Sequence, residues 1–476
     1  MTETATGQAK AYENPLGTES IPKLLVTFSV PAIISCLINS IYNIVDQIFI
    51  GQGVGYLGNA ATTVSFPIMT ILVAFGTLAG SGASAYAAIK LGEKKEDEAN
   101  RTLNNALYFT ALIGVILMAA GLLVLEPLLR LFGATENIMP YAIDYTSIIL
   151  IGTPFNLVSI ALSNLARTDG NPRLSMYGIL VGAILNTILD PIYIFVFHWG
   201  VAGAAVATIT SQIISAVILF TYFVRPAKNN PQHMRLKLKG ARLEPALIKS
   251  FLALGISSGI TQSVACVMQV IMNNSLVYYG NQSPIGGDVA LSAMGIVMKI
   301  SMIMAAFGIG VGIGSQPIFG YNRGALKYGR IKTTYKIAVT LATLLIFVGW
   351  IVCQTMPEAI VSIFGHENEH FTEFAVKCLR IYLFGIFCAG FQIVSTSYFQ
   401  ATGQPLKASL LSMLRQLLLL IPLILILPTF FGLTGILYAG PIADISSGVI
   451  VALFIVPEML KLSRLMAQED KERLSA

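Results

Sequence analysis

Ala74-Phe75-Gly76-Thr77-Leu78-Ala79-Gly80-Ser81-Gly82 returns in outline as Ala306-Phe307-Gly308-Ile309-Gly310-Val311-Gly312-Ile313-Gly314. The Ala-Phe-Gly triplet and the two later glycines are each displaced by 232 positions. The same displacement carries Leu131-Phe132-Gly133 onto Ile363-Phe364-Gly365, and Gly200 and Gly203 onto Gly432 and Gly435. With one inserted residue, Asp169-Gly170-Asn171-Pro172 falls on Thr402-Gly403-Gln404-Pro405. Chance does not sustain one register over that distance. The chain is read as two homologous halves, and the glycines at GxxxG spacing mark helices that approach closely.

Only 11% of the 476 residues are charged, 55% are hydrophobic and the mean hydropathy is +0.73. A soluble chain carries about 25% charged residues, so this composition predicts a polytopic membrane protein. Apolar runs cut by turn residues predict twelve spanning helices, near 24–50, 59–89, 102–125, 138–165, 174–196, 200–224, 249–279, 288–320, 333–356, 372–400, 406–428 and 433–457. The expected organisation is an amino-terminal tail over 1–23, a six-helix lobe over 24–224, a polar, basic linker over 225–248, a second lobe over 249–457 and a tail over 458–476. Six is even, so the two bundles share one orientation and are related by a pseudo-two-fold axis along the membrane normal. No cleavable leader is visible, and the first span is expected to remain as an anchor.

Lys and Arg collect in the even-numbered turns and both tails, as at Lys90, Lys94, Lys95 and Arg101, at Arg323 through Lys336, and at Lys461 and Arg464. The odd-numbered turns are nearly bare of them, Arg130 being the exception. The positive-inside rule then places both termini in the cytoplasm. It also accounts for the net charge of +6 without nucleic acid. The five cysteines lie in apolar runs without metal-ligand or CxxC spacing, and read as small buried hydrophobes.

Inside the fifth apolar run stands Asn186-Thr187-Ile188-Leu189-Asp190-Pro191. A carboxylate in hydrocarbon costs roughly 2.5–3.5 kcal/mol, so Asp190 is a candidate functional group. Pro191 breaks the helical ladder beside it, and Asn186 shares its face one turn earlier. Along the first helix Ser35, Asn39, Asn43 and Asp46 form a polar stripe at helical spacing, which should face a cavity, with Pro31 beneath it as a candidate gating kink.

Two like-oriented six-helix halves, Asp46 followed by Gly51, and Asn186-x-x-x-Asp190-Pro191 together resemble the multidrug and toxic compound extrusion (MATE) transporters, in the branch of bacterial multidrug exporters. The resemblance covers essentially everything after residue 20. It implies an all-α fold of two six-helix bundles that exports cationic, lipophilic drugs and dyes by alternating access in exchange for H⁺ or Na⁺, giving antibiotic resistance. It implies an ion site in the first half formed by Asp46 and Asp190 with Asn186 and Thr208. Another branch carries acids on helices 7 and 10; here those helices offer Gln262, Gln269, Gln392 and Gln400.

Depth gives an independent reading. Counted from the predicted outer ends, Asp46, Asp190, Thr208 and Tyr145 lie about two turns deep, and Asn186 one turn further in. Two carboxyls, an amide and hydroxyls suit a hard monovalent cation or a shared proton. Met294 and Met298 belong to a methionine-rich pair of helices that suits a promiscuous cavity. Asp444 is the only acid well inside a helix of the second half and a candidate cavity or ion residue; Lys299, Arg380 and Arg415 there have no assigned role. Leu423 occupies the position corresponding to Asp190.

No catalytic constellation, cofactor motif or phosphate loop accompanies these residues. Gly53-Val54-Gly55-Tyr56-Leu57-Gly58 matches a dinucleotide pattern but sits in an external turn. His366 and His370 lack further clustered ligands, and no metal is expected beyond a transported Na⁺. The expectation is a monomeric multi-pass antiporter of the bacterial cytoplasmic membrane. The alternative is a flippase for a lipid-linked saccharide or peptidoglycan precursor, which shares the repeat architecture; a membrane-embedded enzyme or a receptor stands further off.

Overall fold

A computed structural model of the chain describes residues 14–225, 233–237, 242–363 and 369–475. It is all-α, with no strand among these residues. The first six spanning helices are α1 (Ile21–Val54), α2 (Tyr56–Gly92), α3 (Glu96–Leu123), α4 (Met139–Thr168), α5 (Pro172–Pro191, prolonged by a π-helical turn, Ile192–Val196) and α6 (Gly200–Val224). The second six are α7 (Pro245–Asn281), α8 (Gly287–Gly324), α9 (Tyr328–Thr355), α10 (Glu369–Tyr382 and Cys388–Ala401), α11 (Pro405–Met413, a π-helical stretch Leu414–Leu420, then Ile421–Phe431) and α12 (Leu433–Ser475). Eleven of them are long and apolar enough to cross a membrane, and α10 differs because it is cut into two pieces of 14 residues.

The cut has a packing cause. A Cβ on Gly385, inside the break, would come within 2.9 Å of the Pro441 Cα, so α12 presses on backbone there. Carbonyls beside the break are taken up by α9: Trp350 Nε1 donates to the Phe384 oxygen at 2.9 Å and Gln354 Nε2 to that of Arg380 at 2.9 Å. Irregular backbone at this depth is tolerated because neighbouring side chains satisfy it.

The buried apolar residues divide unevenly. At the end that carries both termini, one cluster draws on both sets of helices, from Leu24 and Phe28 of α1 and Leu91 of α2 to Phe251 of α7, Phe319 of α8 and Tyr398 of α10. Toward the other end the clusters each belong to one set. One joins Met272, Met294, Phe374 and Leu437, and two smaller ones gather around Leu129 and around Tyr145. The two sets are therefore sealed together at one end and pack separately at the other.

Glycines make the seal. A Cβ on Gly255 of α7 would stand 1.7 Å from the Leu78 carbonyl oxygen of α2, and one on Gly82 would stand 2.1 Å from that of Phe251. At the helix ends Gly92 of α2 meets the Tyr321 oxygen and Gly324 of α8 meets the Ile89 oxygen, each at 2.0 Å from a Cβ. The turns between α4 and α5 and between α10 and α11 also repeat, each with a glycine in the left-handed region, Gly170 at φ +90° and Gly403 at +80°. Polar groups tie the same end. Gln400 Nε2 donates to Ser81 Oγ at 3.0 Å, and Lys327 Nζ and Arg330 Nη2 clasp the carbonyls of Gly17 and Glu19 at 2.9 and 2.7 Å.

The connection between the sets is held down as well. His233 and Met234 are buried, and Asp169 gathers them: His233 Nδ1 lies 2.5 Å from Asp169 Oδ2, the Met234 amide donates to Oδ1 at 2.7 Å, and Tyr222 Oη donates to Oδ2 at 2.6 Å. Asn100, Asn104 and Asn105 of α3 accept from the amides of Arg235, Lys237 and Glu244. Helix α7 starts at Pro245, so the last four residues assigned to the linker from sequence are helical. The position of His366 lies outside the described residues.

Two outcomes test this packing. Gly255→Ala should lower the melting midpoint of the purified protein by the equivalent of about 1–3 kcal/mol of overpacking. Gly295→Ala, whose Cβ would meet nothing within 4 Å, should hold or raise it by up to ~1 kcal/mol through helix propensity. A Gly255→Ala protein that melts like wild type would contradict a backbone-close seam. Burial alone would lower the His233 pKa, but the hydrogen bond and charge of Asp169, with the Arg225 and Tyr222 backbone, hold it above the ordinary value of 6.5. A raised pKa means that its stabilising contribution is complete below 6.5 and is lost as pH climbs through the folded value. Between pH 5.5 and 8.5 the wild-type midpoint should therefore fall more than that of His233→Gln, and equal slopes would refute the linkage.

Candidate ion-coupling site

Four helices bring the site together. The α-helical ladder of α5 stops at Pro191, and the chain continues in the wider π register, with the Phe197 amide reaching back to the Ile192 carbonyl at 3.0 Å. Proline has no N–H to give and crowds the preceding turn, which is the physical reason for the change. One turn on either side of this irregularity face Asn186, Asp190 and Ile194, all buried. Ile194 packs under Gly53 at the end of α1, where a Cβ would meet it at 2.1 Å, so α1 and α5 touch directly beside the acid.

Asn186 is the hinge of the hydrogen bonding. Its Nδ2 donates to Asp190 Oδ1 at 3.1 Å and to Thr208 Oγ1 of α6 at 3.3 Å. The Asp46 carboxyl of α1 is an electrostatic neighbour of the Asp190 carboxyl. Asp190 has 0% of its surface exposed and Asp46 9%. Among the described residues no Lys, Arg or His pairs with either acid. Three oxygens of this group, Asp46 Oδ1, Asn186 Oδ1 and Asp190 Oδ2, are buried without any hydrogen-bond partner. Buried acceptors are ordinarily satisfied, and three orphans on three adjoining residues describe a place for a proton or a small cation.

Tyr145 of α4 is buried in the apolar cluster with Ile50, Ile149 and Val201, and its phenol is an electrostatic neighbour of both acids. Tyr42, one turn before Asp46 on α1, is a second such neighbour that the sequence reading passed over. Its i, i+4 spacing to Asp46 was the available signal. The structure thus assembles Asp46, Asn186, Asp190, Thr208 and Tyr145 into one locus.

The other residues stand elsewhere. Pro31 is buried within an uninterrupted α1, and Ser35 Oγ bonds its carbonyl at 2.8 Å. Asn39 and Asn43 are on the exposed side of the same helix, Asn43 Nδ2 donating to the Asn39 carbonyl at 2.6 Å. Met294 is packed into the apolar core of α7–α12 with 1% of its surface exposed, and Met298 is half-buried against that core. In this arrangement Met294 acts as packing, because it has almost no surface to offer a solute. Asp444 is no free acid: it is buried and forms an ion pair with the partly exposed Arg415 of α11.

Comparison with known proteins agrees with this architecture. The MatE family model matches residues 31–192 and 254–426, one stretch in each half. The multidrug export protein MepA of Staphylococcus haemolyticus (strain JCSC1435) is 29% identical over 441 residues, 92% of this chain and 93% of its own. The solved structure of the MATE multidrug transporter DinF-BH superposes with a TM-score of 0.85 at 33% identity, covering 93% of this chain and 96% of that one. An outward-facing multidrug resistance MATE family transporter of the MOP superfamily shares the fold at a TM-score of 0.87 and 20% identity, over 94% of this chain and 98% of that one. The fold and the paired membrane bundles define a multi-pass membrane transporter. The chain belongs to the MatE family.

Proposed function

We propose that this protein exports lipophilic cationic drugs and dyes across the bacterial cytoplasmic membrane in exchange for H⁺ or Na⁺, working as a monomer with both termini in the cytoplasm. The observation that carries the reading is the pair of adjoining buried acids, Asp46 and Asp190, with no basic partner among the described residues and three unpartnered oxygens around them. Two bare carboxylates side by side in a low-dielectric bundle repel one another, so the pair favours holding a proton or a monovalent cation. Asn186 ties the site to α6 through Thr208, so occupancy is felt by α1, α5 and α6 at once. The kinship with multidrug export proteins supports drug as the cargo.

The seal at the terminus-bearing end and the separate packing at the other support an outward-open state, given cytoplasmic termini. In that state the acids take up an external ion. Opening inward then requires the Gly82–Gly255 and Gln400–Ser81 contacts to part. Each ligand shifts the balance only by its differential affinity for the two states.

The test is dye efflux from vesicles carrying the purified protein, with pH and Na⁺ gradients imposed separately. One of the two gradients should drive efflux, and Asp190→Asn or Asp46→Asn should reduce the gradient-driven rate at least about tenfold, the equivalent of ~1.4 kcal/mol. Efflux that survives both substitutions removes the acids from coupling. A one-for-one exchange of monovalent cations moves no net charge, so an imposed membrane potential without an ion gradient should drive nothing, while each pH unit supplies ~1.4 kcal/mol. Efflux driven by potential alone would refute that stoichiometry.

A further inference from the structure

The second half carries a charged locus of its own, built differently from the first. Arg415 lies in the π-helical stretch of α11 and its Nε donates to Asp444 Oδ1 of α12. Asp444 sits on the interior side of α12. Asp444 shares its face with the buried Ala443, Ser447 and Val451, while Ile442, Ile445 and Val449 form the exposed side. Tyr382 of α10, 4% exposed, is an electrostatic neighbour of both charges. Ser447 Oγ donates to Gln392 Oε1 at 3.2 Å, adding a polar layer beside the acid.

The ion pair leaves most of the guanidinium free. Arginine presents five N–H donors in a planar fork, and only Nε is engaged. The Arg415 side chain keeps 25% of its surface open, against 3% for Asp444. Asp444 therefore holds the guanidinium by its Nε edge, on a side chain that is a quarter exposed. Next to it Gln416 Oε1 is buried without a partner. The π register matters here: such stretches recur at functional positions, where they turn a side chain out of the regular ladder.

A buried ion pair alone is weak evidence for stability, since well-packed apolar residues often do as well. Displacing Arg415 from Asp444 by a substrate cation would strand a buried guanidinium, which is costly. Adding a carboxylate to the free fork strands nothing, because arginine binds a carboxylate by two parallel N–H···O bonds. We propose that Arg415 is a specificity-determining residue whose free guanidinium edge receives the carboxylate of zwitterionic substrates, with Asp444 as its positioning residue. This rests on the export reading above, and deepens it: the first half answers to cationic charge, and the second admits substrates that carry an anionic group as well.

Two dyes with the same xanthene core isolate that group: rhodamine 19, a zwitterion with a free aryl carboxylate, and rhodamine 6G, its ethyl ester and a plain cation. Efflux from vesicles and equilibrium binding by fluorescence polarisation are measured for both. Wild type should take both dyes. Arg415→Gln combined with Asp444→Asn leaves a neutral hydrogen-bonded pair and no stranded charge, and should lower binding and efflux of rhodamine 19 tenfold or more relative to rhodamine 6G. Arg415→Lys keeps the charge and loses the fork, and should give a smaller shift in the same ratio. A ratio unchanged in both variants, or a wild type that does not bind rhodamine 19, overturns the proposal. Failure of wild type to export rhodamine 6G under any gradient would strike the export reading instead, and the binding ratio would still decide the role of Arg415.

Discussion

Two carboxyl groups that neighbour one another inside a helical bundle, with no basic partner among the described residues, are the constraint on which the rest of this protein turns. Such a pair cannot simply be buried as two charges, because both desolvation and mutual repulsion oppose it. The helices around it are arranged to leave that demand open. Asn186 satisfies one oxygen of Asp190 and reaches Thr208, while Asp46 Oδ1, Asn186 Oδ1 and Asp190 Oδ2 stay without partners. A soluble core would close such gaps with donors. Here the missing donor leaves room for a proton or a small cation, the feature on which the proposed coupling rests.

The proposed alternating access would require the bundle that carries this demand to rearrange without unfolding. Glycines along α2, α7 and α8 let backbone lie on backbone where the two helix sets meet, beside the apolar cluster that joins them. Neutral hydrogen bonds such as Gln400 to Ser81 add specificity to the closed seam at a modest net worth of ~1 kcal/mol. By contrast the connection around Asp169 and His233 is tightly bonded to the first six helices.

The halves repeat the scaffold and part company in their charges. On α5 a proline and an acid stand together, with a π-helical turn directly after them. On α11 a π-helical stretch holds an arginine, and its acid comes from α12. One framework thus presents an unanswered negative locus in one bundle and a nearly neutral, half-open dipole in the other. Gene duplication supplies the symmetry, and single side chains break it.

The amino-acid sequence by itself determined the helical architecture, the duplication and the residues worth watching. Those follow from run length, from the 232-residue register and from the cost of placing Asp46 and Asp190 in hydrocarbon. They were legible because each is a property of one segment or of one repeated segment. What only the tertiary structure decided were relations between segments. Asn186, read as a turn below the acid layer, proves to bridge Asp190 and Thr208; Tyr42 joins the site; α10 breaks where α12 presses on Gly385; Met294 is core. Asp444, which looked like a lone acid, is answered by Arg415 29 residues earlier on another helix. Partners across helices are chosen by rotation and packing of whole cylinders, and a shift of one residue in either helix turns a side chain through about 100°. No local pattern records that angle, and so pairing, burial and the open edge of Arg415 appear only when the helices are packed.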